Sequence, residues 1–181
     1  MVDAAIAHPV RIPAAPWLRL LPPAARFSLR GDAATQLAAA SAFGAPLSTI
    51  ACRAVTSGTG AALWLGPDEQ LLMVPPAAAP ALIAGLGSAL AGLPHSLVDI
   101  SHRQVALQVH GPHAAWLLGA LCPLDLALPA FPVAMCTRTV FAKAEIVLWR
   151  TASDVFRLEV GRSFAGYVVG LLHEIARELP A

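Results

Sequence analysis

Residues 27–40 read FSLRGDAATQLAAA, and residues 107–120 read LQVHGPHAAWLLGA. In both stretches a strand-like alternation of apolar and polar residues ends at a glycine, Gly31 or Gly111, and a helix pattern follows. A second matching pair comes later, ALWLGPDEQLLMVP at 62–75 and VLWRTASDVFRLEVG at 147–161. The copies are offset by 80 residues in the first pair and by 85 to 86 in the second. The chain is therefore predicted to contain two equivalent halves.

Each half is predicted to contain a strand, a helix, three strands and a closing helix. The first helix is expected to be capped by Asp32. The expected architecture is α+β: two pseudo-symmetric ferredoxin-like units with antiparallel sheets, comprising residues 17–96 and 97–181 after an amino-terminal extension at 1–16. The two repeats are expected to pack into one compact unit. The strands are predicted at 26–30, 49–56, 61–65, 70–74, 104–110, 138–142, 145–150 and 155–160, and the helices at 32–43, 77–93, 112–121 and 163–179.

The composition indicates a subunit of a larger assembly. Charged residues make up 13% of the chain, against a usual value of about 25%. Hydrophobic residues make up 57%, and the mean hydropathy is +0.65. A domain of this size has little charge with which to cover its surface alone, so part of that surface is expected to contact another protein.

The composition and the sequence pattern argue against nucleic-acid binding, secretion and a membrane span. The net charge of +1 gives no basic stripe for nucleic acid. The early Asp3 and the scattered prolines do not fit a signal peptide. Residues 71–93 carry no charge and are long enough to cross a bilayer, but their three prolines and three glycines favour a strand followed by a buried amphipathic helix. Three cysteines without CxxC spacing fit reduced thiols. The predicted location is the cytoplasm, without membrane contact.

The segment VDISHR at 98–103 places a serine beside a histidine, with an aspartate two residues before the serine. In an extended chain Ser101 and His102 point to opposite faces, so they cannot hydrogen-bond to each other. Asp99 and Ser101 share a face, which is common in turns and caps. There is also no G-x-S-x-G motif. No residue is predicted to be catalytic, and the candidate ligand or interface residues are Asp99, Ser101, His102 and Arg103.

The sequence gives little indication of a metal site, a nucleotide-binding site or a reactive cysteine. No H-x-x-x-H or H-E-x-x-H pair occurs, so no metal site is predicted, although His110 and His113 lie three residues apart. Neither G-x-G-x-x-G nor a P-loop motif is present. Cys122 has no basic neighbour to lower its pKa and is expected to be a small apolar filler. Glu145 and Glu159 are expected to be solvated or interface charges.

Part of the chain resembles a known enzyme family. The stretch DISHRQVALQVHGPHAAWLLGAL, followed by CTRT and VFRLEV, is similar to the folate-binding aminomethyltransferase family of glycine cleavage. In that family a D-[VL]-S-H turn precedes a strand, and G-P-x-A opens a helix. The resemblance covers about half the chain and implies an aminomethyltransferase-like fold.

Further motifs follow one another along the chain: ALWLGPDE, VDISHRQVAL, GPHA, CPLDL, FPVAMCTRT, KAEIVLW and FRLEVGRSFAGYV. On these motifs the chain resembles, from about Trp17 to Ile175, the gamma-subunit family of heterotetrameric sarcosine oxidase. This resemblance implies a complex that demethylates sarcosine oxidatively to glycine, passes the one-carbon unit to tetrahydrofolate or releases formaldehyde, and forms hydrogen peroxide at flavin. The implied partners are the alpha, beta and delta subunits, with FAD, FMN and NAD in alpha and beta, zinc in delta, and no cofactor in gamma.

The chain departs from the aminomethyltransferase pattern at its third-strand loop. There FAKAEIVLW has a bare turn with only Glu145, where relatives carry a longer acidic loop that orients folate. Gln70 stands where an aromatic residue is expected. A non-catalytic assembly subunit is thus the leading hypothesis. The alternatives are an independent folate or small-ligand module using His102 or Arg103, and a free-standing enzyme. DISHR itself has no evident counterpart in the first half and is interpreted as a connector.

Overall fold

The computed structural model describes residues 12–13, 15–58 and 60–179, which form two compact units. The amino-terminal unit comprises Pro23–Ser101 and Ala134–Thr137. The carboxyl-terminal unit comprises the described residues up to Pro22, His102–Val133 and the described residues from Arg138 onward. Most of the predicted extension at 1–16 lies outside the described residues.

The described residues contain ten strands and four α-helices. The strands are β1 Leu18–Leu20, β2 Ala25–Gly31, β3 Ala54–Ser57, β4 Gly60–Gly66, β5 Glu69–Val74, β6 His95–Asp99, β7 Gln104–His110, β8 Cys136–Phe141, β9 Ala144–Ala152 and β10 Val155–Gly161. The helices are α1 Ala33–Phe43, α2 Ala79–Ala89, α3 Ala114–Gly119 and α4 Ala165–Ala176. Two five-stranded sheets result, in the orders β3-β4-β5-β2-β6 and β1-β7-β10-β9-β8.

In the amino-terminal unit, the apolar positions of β2 pack beneath the two helices. Phe27 and Leu29 alternate with polar residues and join a core cluster that includes Leu72 of β5 and Leu86 of α2. Alternation of this kind is what places one face of a strand in a core. The helix α1 begins at the N-cap Asp32, whose Oδ1 accepts a hydrogen bond from Thr35 N at 2.9 Å. The predicted cap is confirmed.

The two repeat glycines are needed for different reasons. Gly31 precedes α1, and a Cβ at this position would overlap the Thr35 side chain. Gly111 precedes α3 with a φ of 104°, a left-handed conformation that favours glycine. The same strand-glycine-helix pattern in the sequence therefore serves close packing in one unit and a backbone turn in the other.

The outer strands β1 and β6 are exchanged between the repeats. β1, at the start of the first repeat, pairs with β7 of the second repeat, and β6, which directly precedes β7 in the chain, pairs with β2 of the first repeat. The pairings are equivalent: Ile100 N donates to Arg26 O at 2.9 Å, and Leu21 N donates to Ala106 O at 2.9 Å. The interpretation of DISHR as a connector agrees with this division, because the amino-terminal unit ends at Ser101 and the carboxyl-terminal unit resumes at His102. Only Asp99 has a counterpart, because it ends the strand β6, whose equivalent is β1.

The predicted fold class is confirmed, while several predicted element boundaries differ. The strand predicted at 49–56 begins only at Ala54, because the backbone turns at Cys52, where φ is 58°. Both closing helices begin later than predicted, after the short 3-10 turns Pro76–Ala78 and Arg162–Phe164. Among the described residues, no helix is long and apolar enough to cross a membrane.

Candidate functional site

Asp99 and Ser101 form a closed turn at the end of β6. Asp99 Oδ1 accepts hydrogen bonds from Ser101 N at 2.8 Å and from Ser101 Oγ at 2.5 Å. Ser101 Oγ in turn accepts a hydrogen bond from Arg26 N at 2.9 Å. The hydroxyl proton is already held by a carboxylate, and the oxygen is engaged by a backbone amide of β2. This arrangement fixes an edge strand and does not activate a nucleophile.

His102 and Arg103 follow directly in the chain and belong to the carboxyl-terminal unit. Both residues are exposed. Arg103 contributes its backbone carbonyl, which accepts a hydrogen bond from Arg162 N at 3.0 Å, and this contact ties the start of β7 to the turn before α4. The positions therefore have a structural backbone contact, and their exposed side chains remain candidates for an interface or a ligand.

The turn between β8 and β9 is short. Phe141 ends one strand and Ala144 begins the next, so only two residues lie between them. Ala142 adopts a φ of 51°, and its N–H donates to Leu121 O at 2.9 Å. Glu145 lies just after the turn and is exposed. A two-residue turn of this kind presents no loop that would enclose a ligand beside Glu145.

The predicted charges of the carboxyl-terminal sheet have different environments. Glu145 is solvated, as expected, and lies 3.9 Å from the Arg138 guanidinium. Glu159 is only 1% exposed, and Arg157 Nε donates to its Oε1 at 2.7 Å. A buried carboxylate needs such a partner to offset the loss of hydration. The expectation that Glu159 is a solvated or interface charge is therefore wrong, because its side chain is buried within the unit.

Gln70 occupies the core of the amino-terminal unit, where an aromatic residue was expected. Its Nε2 donates to Gln36 Oε1 at 3.1 Å and to Ser48 O at 2.9 Å. Gln36 Nε2 in turn donates to Pro67 O at 2.8 Å. These bonds connect β5, α1 and two loops. The side chain thus replaces an apolar packing contact with a polar link, and the sequence alone gave no sign of its partners.

In the part of the chain that the structure describes, neither a metal site nor a reactive site at Cys122 or Cys136 is formed. No group of three or more His, Cys, Asp or Glu residues there is arranged to hold a metal ion. Burial raises the pKa of the Cys136 thiol to about 12. A thiol with such a pKa carries almost no thiolate at neutral pH and is a poor nucleophile. Cys122 is buried, as expected of an apolar filler.

Comparison with known proteins identifies the family. A model of the family described as "Sarcosine oxidase, gamma subunit family" matches residues 30–178. A sarcosine oxidase subunit gamma from Corynebacterium sp. (strain U-96) is 37% identical over 145 residues, which cover 80% of this chain and 69% of that relative. The chain belongs to the sarcosine oxidase gamma subunit family.

Solved structures support this family and its fold. A chain of heterotetrameric sarcosine oxidase from Corynebacterium sp. U-96, in complex with pyrrole 2-carboxylate, matches with a TM-score of 0.83 and 32% identity, covering 91% of this chain and 85% of that one. The aminomethyltransferase T of the glycine cleavage system from Bartonella henselae matches with a TM-score of 0.62 and 15% identity, covering 86% of this chain and 44% of that one. The second likeness concerns the fold alone. Both resemblances seen in the sequence are thereby confirmed at the level of family and fold.

Proposed function

We propose that this chain is a non-catalytic gamma subunit that stabilises a heterotetrameric sarcosine oxidase. In that complex sarcosine is demethylated oxidatively to glycine, with alpha, beta and delta subunits as the partners. FAD, FMN and NAD are assigned to alpha and beta, zinc to delta, and tetrahydrofolate binding to the partner subunits, so that this chain carries no cofactor. The cytoplasm is the proposed location.

The hydrogen bonding of Ser101 is the observation that carries the non-catalytic role. The most reactive-looking residues of the sequence are used to hold strands together: Ser101 Oγ is engaged by Asp99 Oδ1 and by Arg26 N. A catalytic serine needs a base that accepts its proton and a free approach for the substrate. Here the partner is an aspartate in a local turn, and the approach is occupied by a backbone amide.

The short β8–β9 turn supports the same proposal. The acidic loop implied by the aminomethyltransferase resemblance has no equivalent between Phe141 and Ala144. A carboxylate that orients a substrate must be held within hydrogen-bonding distance of it. Glu145 extends into solvent near Arg138 and is not held in that way. An assembly role is therefore favoured over independent folate binding.

Omission of the chain tests this function. The alpha, beta and delta subunits are co-expressed with or without this chain, and the flavin-containing complex is quantified by gel filtration and flavin absorbance. We expect the amount of assembled complex to fall at least tenfold without the chain and to recover when the chain is supplied from a separate plasmid. Full assembly, full activity and an unchanged Tm without the chain would contradict the proposal.

A further inference from the structure

The two helices of the amino-terminal unit form a layer without a single charged residue. Helix α1 reads AATQLAAASAF, and helix α2 reads APALIAGLGSA. The absence of Asp, Glu, Lys and Arg extends beyond the helices, over residues 33–52 and 70–98 of the sequence. These two stretches are far apart in the chain, but the fold brings them together on the helix-covered side of one sheet.

The inner side of this layer is satisfied by the unit itself. Ala39 and Phe43 of α1, and Leu82 and Leu86 of α2, belong to the core cluster. The helices also pack against each other, because a Cβ at Gly85 would lie 3.2 Å from Ala42 Cβ. The inner faces therefore have their partners within the unit.

The outer side is exposed and apolar. Leu37 of α1 is 78% exposed, and Ile83 of α2 is 40% exposed. The other exposed helix residues are small and uncharged: Ala33, Ala34, Ser41, Pro80, Ala81, Ala84, Gly87 and Ser88. Soluble surfaces ordinarily have roughly a quarter to a third of their residues charged. This surface, which we name the α1–α2 face, lacks that feature altogether.

The carboxyl-terminal unit has a different outer surface. Its long helix α4 carries Glu174, and Arg177 at its end donates to that carboxylate at 2.9 Å. Both side chains are exposed. Exposed ion pairs of this kind are typical of helices that face water. Helix α4 therefore carries charge on its exposed side, whereas α1 and α2 carry none.

We propose that the α1–α2 face is the surface by which this chain docks onto another subunit of its oxidase. The inference rests on the proposed function. Interface cores are depleted in charged residues, and permanent interfaces are the most apolar. A face without charges can be buried without desolvating any ion. The matching surface of the partner is inferred to be uncharged and apolar, with recesses for Leu37 and Ile83.

Heteromeric assembly favours a different subunit over a second copy of this chain. The solved relative with 32% identity is described as heterotetrameric. In such an assembly a gamma subunit has permanent partners of other sequence, and a permanent partner is what a charge-free face requires. A second copy of this chain and a lipid surface are the competing occupants, and the experiment separates them.

A charge-insertion experiment tests the docking face. Affinity-tagged chain is co-expressed with its alpha, beta and delta subunits, and the co-purified flavin is measured per mole of tagged chain. The test variant is Leu37→Glu/Ala84→Glu. The control is Leu128→Glu, at a residue of the carboxyl-terminal unit that is 47% exposed. We expect at least a tenfold loss of co-purified flavin for the test variant, equivalent to about 1.4 kcal/mol, and less than a twofold loss for the control.

The controls keep the outcomes distinct. The Tm of each isolated full-length variant is measured, and if the double variant does not fold, Leu37→Glu alone replaces it. If the wild-type chain and the test variant co-purify with equal amounts of flavin, the α1–α2 face is not the docking surface, and the proposed function is unaffected. Wild-type chain that retains no flavin overturns both.

Two further results would contradict the proposal by showing that the α1–α2 face binds something other than an oxidase subunit. One is a dimer of the isolated wild-type chain in light scattering that the Leu37→Glu/Ala84→Glu variant abolishes. The other is flotation of the wild-type chain with phosphatidylcholine vesicles that the same variant abolishes. An equal loss of flavin in the Leu128→Glu control also contradicts the proposal, because the effect would then not be specific to the α1–α2 face.

Discussion

Two buried polar side chains, Arg150 in the carboxyl-terminal unit and Gln70 in the amino-terminal unit, are hydrogen-bonded in different ways. In the carboxyl-terminal unit Arg150 is 3% exposed, and its guanidinium lies 4.6 Å from the centroid of the Phe156 ring. It donates to the carbonyls of Leu126, Phe131 and Ser153 at 3.1, 2.5 and 3.0 Å. In the amino-terminal unit the neutral Gln70 amide donates to one side chain and one carbonyl.

The difference shows where this protein uses its buried polar groups. Two of the carbonyls that Arg150 binds belong to the irregular chain between α3 and β8, and the third belongs to the turn between β9 and β10. One cation thus fixes two segments without regular structure. A neutral amide links a strand to a helix with fewer bonds. In both units the partners belong to the chain itself, so these polar residues stabilise the fold.

Replacement of Arg150 should have the largest effect on stability. Arg150→Met removes the donors of three buried or half-buried carbonyls, and we expect the free energy of unfolding to fall by about 3–5 kcal/mol. Urea unfolding of the purified chain measures this change. Lys143→Met, at an exposed residue of the β8–β9 turn, is the control and should change stability by less than about 0.5 kcal/mol. Equal effects of the two substitutions would contradict the role of Arg150.

Replacement of Gln70 should have a smaller effect. Gln70→Ala removes two hydrogen bonds and leaves a cavity, and we expect a loss of about 2–3 kcal/mol in the free energy of unfolding. Gln70→Leu fills most of that volume, and among the described residues the Oε1 that it removes has no hydrogen-bond partner. The loss for Gln70→Leu should therefore be less than half as large. A leucine variant that is as unstable as the alanine variant would argue against this balance.

The Asp99–Ser101 turn should contribute less again. Ser101→Ala removes the acceptor of the Arg26 amide, and we expect a loss of about 1–2 kcal/mol, measured by urea unfolding. His102→Ala, one residue further and exposed, should leave stability within about 0.5 kcal/mol of wild type. The reverse order would mean that His102, and not Ser101, supports the edge strand.

Replacement of the helix cap Asp32 should have the smallest effect on stability, and this effect should depend on pH. The N–H of Thr35 lowers the pKa of the Asp32 carboxyl below its ordinary value of 3.8, whereas α3 has no side-chain cap at His113. A lowered pKa contributes stability above the ordinary value, and this stability is lost as the pH falls through the folded pKa. Asp32→Asn keeps the acceptor and should remove this acid-dependent part of the Tm. An unchanged acid dependence in Asp32→Asn would exclude Asp32 as its source.

The sequence predicts the repeated parts of the fold because their signals are local. The alternation in β2 and β7, and the glycine before each first helix, lie within short windows and depend on period alone. The strands β1 and β6 escaped prediction because they are three and five residues long. As mostly exposed edge strands they show little alternation, and their pairing with distant partners leaves no local signal.

The candidate site was predicted only in part. The exclusion of a Ser–His pair assumed an extended chain, whereas Ser101 and His102 lie in the turn between β6 and β7. In the structure Ser101 Oγ is engaged by Asp99 Oδ1 and by Arg26 N. The hydrogen bond from Arg26 N to Ser101 Oγ joins residues 75 positions apart, so no local sequence pattern predicts this bond. The sequence marks Gln70 as a departure from the family pattern, but its partners on α1 and in the loop at Ser48 are brought to it only by the fold.

The turnover of an assembled complex tests the central claim, that this chain supports an oxidase without taking part in its chemistry. Sarcosine-dependent oxygen consumption per bound flavin is measured in the purified complex with wild-type chain and with His102→Ala/Arg103→Ala, after gel filtration has shown equal assembly. The account predicts that kcat and KM stay within twofold of wild type. A tenfold or larger fall in kcat, in a complex that is fully assembled and fully loaded with flavin, would contradict it.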